Sequence, residues 1–407
     1  MNILIVVDGF WPEESGGICK SLLYEIRELH RLGHSIVVLT KKLKKDSPWH
    51  ESRDDCEIFR YFVPPRENAF YRLYPLFTRW YMPRIVPKLH EQFKFDAASI
   101  HNPFQCVFFP FLKGVPIIYT FHAPMNQEVE IERQIGKYGR MNQIVKRMVP
   151  YLKRIDRKAL KRSARIIVRS HFMRKEVEKI YLECGRDKIR NVPLGVDTDS
   201  YPFLENSQEI RMKLNLPLRR PILLTVRRLA ARMGLEHLIT AMSNLIKSFP
   251  EILILIAGTG YLEKELKNQV EFLGLTSHVQ FLGFVPEEVL YEYYQSADLF
   301  VMPSANLEGF GLSTIEALSC GTPAVVTPVG ANPEIMTPLD KSFICKSAEP
   351  PDLDEKINWF LKTHLQDYSL RLRCRNYCVD NFSVHSVTRS LIQIFEEAVF
   401  NHHGSNL

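Results

Sequence analysis

Short apolar stretches alternate with helical stretches along most of the chain, and this alternation constrains the fold more than any other feature. In the first half, strands are predicted at Ile3–Val7, Ser35–Thr40, Ala97–Ile100, Ile117–Phe121 and Arg165–Arg169. A helix is predicted at Gly16–Leu32, where apolar residues recur at helical spacing until Gly33 ends the pattern. Strands joined through helices form a parallel sheet that is covered on both faces.

The second half repeats this plan. Its strands are predicted at Ile222–Val226, Leu253–Ala257, Val279–Phe281, Leu299–Met302 and Ala324–Val326. The helices between them are predicted at Leu235–Ser248, Tyr261–Leu273, Pro286–Ser296 and Thr314–Leu318. Prolines and a glycine interrupt the chain at Asn191–Pro202. We therefore expect an α/β protein with two doubly wound parallel-sheet domains, residues 1–200 and 201–382, followed by residues 383–407, whose end, Asn401–Leu407, is expected to be disordered.

The composition is that of a soluble globular protein, with 45% hydrophobic and 24% charged residues among 407. This length suffices for two domains with separate cores. The apolar start reaches Asp8 without a basic leader, so we interpret it as a strand and not as a signal peptide. No uncharged apolar run approaches the roughly 20 residues of a spanning helix, and the expected location is the cytoplasm.

Eight cysteines are scattered along the chain without a CxxC pair. A chain of this length needs no disulfides, so free and mostly buried thiols are expected. Cys374 and Cys378 share one helical face, but no histidine accompanies them, and no metal site is predicted there.

The net charge of +7 is unevenly divided, with +12 in residues 1–200 and −5 in residues 201–407. Residues 137–165 carry eleven basic side chains and one acid, and Pro150 is expected to kink this stretch or to start a second helix. Phe62–Pro87 interleaves aromatic residues with arginines. A solvated helix face, an anionic membrane surface and a nucleic acid all fit such segments. We favour the membrane, and expect no nucleic-acid partner, because no nucleic-acid-binding motif accompanies the charge.

Three glycine-bearing turns follow predicted strands, where ligands bind in parallel α/β sheets. They are Gly16-Gly17, Gly258-Thr-Gly260 and Glu308–Gly311. None spells GxGxxG at the dinucleotide position, so a nicotinamide or flavin site is disfavoured. A single glycine pair is more often a tight turn than a phosphate cradle, but three turns at equivalent strand ends favour ligand binding.

Two glutamates, Glu308 and Glu316, flank the last of these turns, which opens a helix. The free N–H groups of a helix start suit a phosphate or diphosphate, and carboxylates beside it suit hydroxyl groups. A diphosphate next to sugar hydroxyls describes a nucleotide sugar. Arg227, Arg228 and Arg232 follow another strand of the same half, either as solvated charges or as partners of the diphosphate.

His122 follows the predicted strand Ile117–Phe121 and has small neighbours. A single histidine is more often structural than catalytic. Its place at a strand end would nevertheless let it face a ligand, so both interpretations stay open.

Together these residues resemble the retaining glycosyltransferases of family 4, which have the GT-B fold of two Rossmann-like domains with a cleft between them. The resemblance covers nearly the whole chain and is strongest from Ile222 to Met336. Glu308 and Glu316 fit the family's Glu-x7-Glu signature. The other matching segments are Gly16-Gly17, Gly33-His34, His122, Pro193–Asp197, Gly258–Gly260, Gly283, Ala297–Ser304, Gly321–Pro323 and Gly330–Glu334.

The resemblance implies roles for these residues. Glu316 would hold the ribose of the donor nucleotide, Glu308 would contact the donor sugar, and His122 would contact the transferred sugar from across the cleft. The other donor-site residues it implies are Gly16, Gly17, Arg228, Gly258, Gly309, Phe310, Gly311 and Leu312, and we also expect Arg232 at the diphosphate and Phe284 near the base. A last helix near Val384–Val399 would return to the first domain.

One position departs from the family, which usually has an arginine followed five residues later by a lysine, both facing the diphosphate. Arg228 fits, but Met233 stands at the lysine position. Arg227 or Arg232 would then have to provide the missing charge.

The function implied is metal-independent transfer of a sugar, with retained anomeric configuration, from a nucleotide-diphosphate sugar to a hydroxyl. No cofactor is expected. UDP, GDP and ADP are all compatible as the nucleotide. The alternatives are a non-catalytic nucleotide-sugar-binding protein and a GT-B-like epimerase or phosphorylase. The basic first half points to a lipid-linked or cell-envelope glycan as acceptor, at the cytosolic face of an anionic membrane.

Overall fold

The computed structural model describes residues 1–14, 16–65, 68–180, 186–365 and 367–404. The chain forms two compact units, one of Met1–Gly195 together with the chain from Val384 onward, and one of Val196–Ser383. The first boundary thus falls inside the interrupted stretch Asn191–Pro202. Arg66 of the aromatic–arginine segment and Cys184 lie outside the described residues.

The first unit is built on one sheet. Its strands, within the described residues, are β1 (Asn2–Val7), β2 (Ser35–Lys42), β3 (His50–Ser52), β4 (Glu57–Phe62), β5 (Ala97–Ile100), β6 (Ile117–Phe121), β7 (Arg165–Val168) and β8 (Ile189–Asn191). The order is β3-β4-β2-β1-β5-β6-β7-β8, parallel apart from β3, which pairs antiparallel with β4. Its first helices are α1 (Gly17–Arg31), α2 (Tyr74–Phe93), α3 (Pro103–Phe108), α4 (Met125–Gln134), α5 (Asn142–Arg162) and α6 (His171–Ile180).

The central strand β1 shows why this sheet is buried on both faces. Ile3 belongs to one apolar cluster, together with Leu22 of α1. Its neighbour Leu4 belongs to a second cluster, together with Met82 of α2. Because successive side chains of a strand point to opposite faces, a run of apolar residues requires helices on both sides of the sheet.

The second unit contains a smaller parallel sheet. Its strands are β9 (Ile222–Val226), β10 (Leu253–Ala257), β11 (Val279–Gly283), β12 (Leu299–Met302) and β13 (Ala324–Val326), in the order β11-β10-β9-β12-β13. Its helices, within the described residues, are α7 (Ser207–Lys213), α8 (Leu235–Ser248), α9 (Glu263–Phe272), α10 (Glu287–Ser296), α11 (Leu312–Ser319), α12 (Asn332–Asp340), α13 (Pro350–His364) and α14 (Tyr368–Phe382).

The last helix, α15 (Val384–Gly404), belongs to the first unit. Val387, Leu391, Ile394 and Phe395 are buried in the cluster that contains Ile3 and Leu22. The C-terminal helix therefore covers one face of the first sheet, beside α1.

Two local expectations need correction. α5 runs from Asn142 to Arg162 through Pro150, so this proline does not start a second helix, which was one of the two alternatives for it. Pro150 lacks an N–H and removes one hydrogen bond without ending the helix. The expected disordered tail begins too early, since α15 continues from Asn401 to Gly404, and residues 405–407 lie outside the described part.

Strands β3, β4 and β8 are absent from the sequence-based prediction. β4 carries Arg60 in its centre, a charge that argues against a buried strand. The structure buries Arg60 by pairing its guanidinium with Glu13 and Glu51. A paired charge can be buried, which hydrophobic patterning does not reveal.

The two doubly wound parallel sheets are confirmed. Among the described residues, no helix is long and apolar enough to cross a membrane. The seven cysteines in the described ranges are buried and form no disulfide.

Candidate functional site

The strand order of the second sheet reverses at β9, which lies between β10 and β12. In open α/β sheets, ligands bind beyond the carboxyl ends of the strands at such a reversal. Arg227 and Arg228 directly follow β9, and Pro303 and Ser304 directly follow β12. These four residues therefore border the expected ligand position of the second unit.

Arg227 and Glu308 form a largely buried ion pair at this position. Nη2 of Arg227 lies 2.6 Å from Oε2 of Glu308, and Nη1 donates to Oγ of Ser304 at 2.7 Å. Ser304 in turn donates to the same carboxylate oxygen at 2.8 Å. The side chains of Arg227 and Glu308 are 5% and 13% exposed. This triangle fixes the carboxylate relative to the ends of β9 and β12.

The electrostatics keep this carboxylate ionised. Burial raises the pKa of Glu308, but Arg227, the Ser304 hydroxyl and Arg232 outweigh burial and hold the pKa below its usual value. Burial lowers the pKa of Arg227, and Glu308 opposes that shift. An ionised carboxylate only accepts hydrogen bonds, so Glu308 is suited to receive hydroxyl groups.

Two thioethers complete the surroundings of the Arg227 guanidinium. Nη2 lies 3.0 Å from Sδ of Met233, and Nη1 lies 2.7 Å from Sδ of Met302. Thioether sulfur is a weak acceptor, so these N–H groups keep capacity for a stronger one. Met233, at the position where the resemblance implies a lysine, thus ends beside the cation of Arg227.

The other two arginines of the cluster differ from Arg227. Arg228 is exposed. The guanidinium of Arg232 donates to the carbonyl of Leu307 at 2.7 Å, and its own carbonyl accepts from the N–H groups of Ala305 and Asn306 at 3.0 and 3.1 Å. Arg232 therefore supports the chain just before Glu308, while Arg228 presents its charge to solvent.

The turn that carries Glu308 is held by the backbone on both sides. Leu307 has φ of 48°, a left-handed conformation that residues other than glycine rarely adopt. The carbonyl of Glu308 accepts from the N–H of Ala331 at 3.0 Å, and a Cβ on Gly330 would come within 2.1 Å of that carbonyl oxygen. Position 330 consequently requires glycine.

A helix begins immediately after this turn. Gly311, with φ of 97°, is the N-cap of α11. Phe310 packs against Phe382 with ring centroids 5.8 Å apart, and Leu312 is buried, so both side chains serve the core. Leu312 is the first residue of this helix, where backbone N–H groups lack partners within the helix, and Gly309 and Phe310 lie in the turn just before it.

Glu316 lies on α11 and is buried. Its Oε2 accepts a hydrogen bond from the hydroxyl of Tyr294 on α10 at 2.8 Å. Burial, followed by the charge of Glu316, raises the pKa of Tyr294 well above its usual value, so this hydroxyl stays protonated as a donor. Tyr294 therefore orients the second carboxylate of the motif.

Gly258 and Phe284 follow the neighbouring strands β10 and β11. The N–H of Gly258 donates to the carbonyl of Gly283 at 2.7 Å. The side chain of Phe284 is exposed. The second unit therefore carries all the expected residues from Arg228 to Glu316 on loops at the carboxyl ends of its strands or on α11.

The first unit carries the remaining expected residues. Gly16 is the N-cap of α1, and Gly17 is the first residue of that helix. A Cβ on Gly16 would meet no atom within 4 Å, so the space beside this helix start is open. His122 directly follows β6.

His122 is a neutral imidazole. Its Nε2 lies 3.0 Å from Nδ1 of His101, and the two rings stack with centroids 5.3 Å apart. Burial, and then the charge of Arg169, lower the pKa of His122 to about 3. At neutral pH this side chain therefore forms hydrogen bonds but has no positive charge.

Sequence reasoning does not single out Ser304 or Tyr294. Ser304 has one usable signal, since it is the second residue after a buried strand at the ligand-binding edge. Tyr294 has none, because its contact with Glu316 depends on how α10 packs on α11.

Comparisons with known proteins agree with this architecture. Residues 15–200 match the family described as glycosyltransferase family 4, and residues 206–378 match glycosyl transferases group 1. An uncharacterised glycosyltransferase of Methanocaldococcus jannaschii is 27% identical over 94% of this chain and 92% of its own length. A GDP-mannose-dependent α-(1-6)-phosphatidylinositol monomannoside mannosyltransferase of Mycolicibacterium smegmatis is 26% identical over 48% of this chain and 52% of its own.

Among solved structures, the sucrose-phosphate synthase of Thermosynechococcus elongatus superposes with a TM-score of 0.79 at 20% identity, over 97% of this chain and 98% of its own. This likeness confirms the GT-B expectation of two Rossmann-like domains. With successive matches to both halves, the chain belongs to the family 4 glycosyltransferases, with a group 1 glycosyl transferase domain as its second half.

Proposed function

We propose that this glycosyltransferase moves a sugar from a nucleotide-diphosphate sugar to a hydroxyl acceptor with retention of the anomeric configuration. The observation that carries the proposal is the pair Arg227–Glu308 beside the start of α11, at the strand reversal of the second sheet. In this arrangement an ionised carboxylate, which accepts hydrogen bonds from hydroxyl groups, lies next to groups that attract a diphosphate. A nucleotide sugar combines sugar and ribose hydroxyls with a diphosphate, so it fits both kinds of group at this position.

The residues would divide the work as follows. Glu316, oriented by Tyr294, receives the ribose hydroxyls, and Glu308 receives hydroxyls of the donor sugar. Negative charge that develops on the departing diphosphate is stabilised by exposed Arg228 and by the N–H groups near Gly311. The N–H groups near Gly311 are fixed by the fold before the reaction, so they stabilise the charge without reorganisation.

Retention is proposed to follow from attack on the face that the diphosphate leaves. The acceptor hydroxyl oxygen forms the new bond to the anomeric carbon, the bond to the diphosphate oxygen breaks, and that oxygen takes the hydroxyl proton. This route needs no metal and no separate cofactor. His122 is neutral and would hydrogen-bond to the transferred sugar, while Gly16 and Gly17 let backbone approach the diphosphate.

For the acceptor, we propose a lipid-linked or cell-envelope glycan at the cytosolic face of a membrane. Two observations support this choice. The first half of the chain has a net charge of +12, and the mycobacterial relative is named for a phosphatidylinositol mannoside acceptor.

A panel of UDP-, GDP- and ADP-sugars tests the donor. A ligand that binds only the folded state raises the unfolding temperature. At a free ligand concentration of 100 times the dissociation constant, it adds about 2.7 kcal/mol to the free energy of unfolding. We expect one nucleotide class to stabilise the protein and to be consumed in the presence of extracted membrane lipids. No stabilisation by any member would contradict the proposal.

The same panel separates the alternatives. Stabilisation without turnover against crude membrane acceptors would indicate a nucleotide-sugar-binding protein. An epimerised sugar would indicate an epimerase. A phosphate-dependent release of sugar phosphate would indicate a phosphorylase.

A further inference from the structure

Two helices of the first unit expose large apolar side chains along one face each. On α2 and the turn before it, the exposed residues are Phe70, Leu73, Leu76 and Trp80. On α5 and the residue before it, they are Met141, Ile144, Met148 and Tyr151. Leu76, Trp80 and Ile144 are 61%, 59% and 55% exposed. The spacing of three or four residues places each set on one side of its helix.

The sequence suggests a broader aromatic surface than the structure shows. Tyr71, Tyr74, Phe77 and Tyr81 pack against the core of the first unit. Phe70 and Trp80 are the aromatic side chains of α2 and its preceding turn that point outward, and aliphatic Leu73 and Leu76 accompany them. The exposed set is therefore mixed aromatic and aliphatic.

The two apolar stripes lie on neighbouring elements. Nη1 of Arg72, just before α2, lies 2.6 Å from Sδ of Met141, just before α5. Farther along, Tyr74 of α2 and Leu152 of α5 pack in the same small cluster around Phe104 of α3. The two stripes therefore meet at Arg72 and Met141 and are linked beneath the surface through α3, and the exposed residues of α2 and α5 are together called here the docking face.

The docking face is strongly basic. All eight lysines and arginines of α5 are exposed: Lys146, Arg147, Lys153, Arg154, Arg157, Lys158, Lys161 and Arg162. The one acid of α5, Asp156, is fully buried and accepts a hydrogen bond from the N–H of Met125. On α2, the Arg84 guanidinium lies 3.6 Å from the centre of the Trp80 ring. Within the described residues, α5 carries no acid other than Asp156, and Glu130 of the neighbouring α4, whose charge interacts with Lys146, offsets part of the positive charge.

We propose that the docking face binds an anionic lipid bilayer, with its apolar side chains in the interface and its basic side chains at the lipid headgroups. Exposed apolar residues in a continuous patch mark an interaction surface. Apolar stripes flanked by Lys and Arg are the pattern of helices that lie in a membrane interface, where each basic residue contributes through its attraction to anionic lipid.

The alternative occupants fit less well. Single-stranded nucleic acid would use aromatic rings as stacking platforms, but Leu73, Leu76, Ile144 and Met148 stack no bases. A protein partner would more commonly meet a patch whose centre is depleted in lysine. Membrane binding goes beyond the transfer reaction and is measured without it. An experiment can therefore contradict the proposal of membrane binding without contradicting the proposal of sugar transfer, and the reverse also holds.

The test is flotation of the full-length protein with vesicles of phosphatidylcholine containing phosphatidylglycerol, and with vesicles of pure phosphatidylcholine. We expect flotation with the anionic vesicles at low ionic strength and none with the neutral ones. Absence of flotation at low salt, or equal binding to both compositions, would overturn the proposal. Release of the protein from the vesicles by a single-stranded oligonucleotide would also overturn the proposal.

Two variants locate the contact. Arg147→Glu/Arg154→Glu should lower the partition coefficient on anionic vesicles by about 100-fold or more, since each reversed charge removes one attraction and adds one repulsion. Leu76→Ser/Trp80→Ser should lower it through lost apolar contact.

Matched controls lie on the second unit. Lys264→Glu/Lys267→Glu on α9 makes the same change in net charge, and Phe272→Ser removes an apolar side chain that is 89% exposed. Both should float like the natural protein. Loss of flotation in the controls equal to that in the docking-face variants would show that net charge or folding alone is responsible, and would overturn the assignment of the face.

Discussion

Arg227 holds Glu308 at 2.6 Å in a part of the second unit where both side chains are mostly shielded from water. Replacing Arg227 by Met leaves that carboxylate without its principal cation. Removal of one partner from a buried pair costs about 3–5 kcal/mol of folding free energy. We expect Arg227→Met to lower the unfolding temperature and to abolish stabilisation by nucleotide sugars.

A cation at position 233 can replace the positive charge that Arg227→Met removes from beside Glu308. Met233 Sδ lies 3.0 Å from the guanidinium of Arg227, so a lysine at 233 would place its ammonium close to the same point. Arg227→Met/Met233→Lys should recover much of the loss in unfolding temperature and in donor binding. Arg219→Met, on the exposed surface of the same unit, is the control. A double variant no better than Arg227→Met would show that position 233 cannot replace this cation.

Glu308→Gln keeps the shape of the side chain but removes its charge. If Glu308 receives donor hydroxyls, turnover should fall by about 100-fold or more while the circular dichroism spectrum is unchanged. Because the folded-state pKa of Glu308 lies below 4.5, its contribution to stability is present above that pH and is lost as pH falls through the lower folded value. Unchanged turnover would remove Glu308 from the site.

At the level of helices and strands, Asp156 joins α5 to α4. Burial raises the pKa of Asp156 to about 7, so the folded protein binds a proton there that the unfolded chain has released. The stability contributed by this proton is complete below the usual value near 3.8 and declines as pH rises toward about 7. Asp156→Asn retains an acceptor for Met125, and we expect it to raise the unfolding temperature at pH 8 but hardly at pH 4. Equal effects at both pH values would contradict the shift.

The strands that the sequence predicts to the residue are those buried on both faces, such as β5, β6, β9 and β10. Their apolar runs leave little choice of boundary. β4 is not predicted because its central Arg60 is neutralised by residues distant in sequence.

The donor motif is predictable because the glycines and acids of its turn are close together in the chain. The sequence does not predict which arginine faces Glu308, because Arg227 and Arg228 leave the end of β9 in different directions.

At the scale of the whole molecule, the two units differ in charge. A salt titration should therefore distinguish membrane binding from donor binding. Membrane binding through exposed charges weakens as the Debye length falls from about 10 Å at 0.1 M salt to about 3 Å at 1 M. The buried pair Arg227–Glu308 is screened far less. We expect added salt to release the protein from anionic vesicles while donor-induced stabilisation persists. Parallel loss of both would show that donor binding also depends on exposed charge.

The turn from Leu307 to Gly311 is fastened by Arg232 on one side and by Gly330 and Ala331 on the other before any ligand arrives. Little chain has to become ordered when a donor binds there. The conformational entropy lost on binding at this turn therefore falls mainly on the ligand, whose diphosphate linkage is flexible in water. Analogues with a stiffened linkage should gain affinity if they match this fixed geometry, and should be excluded if they do not.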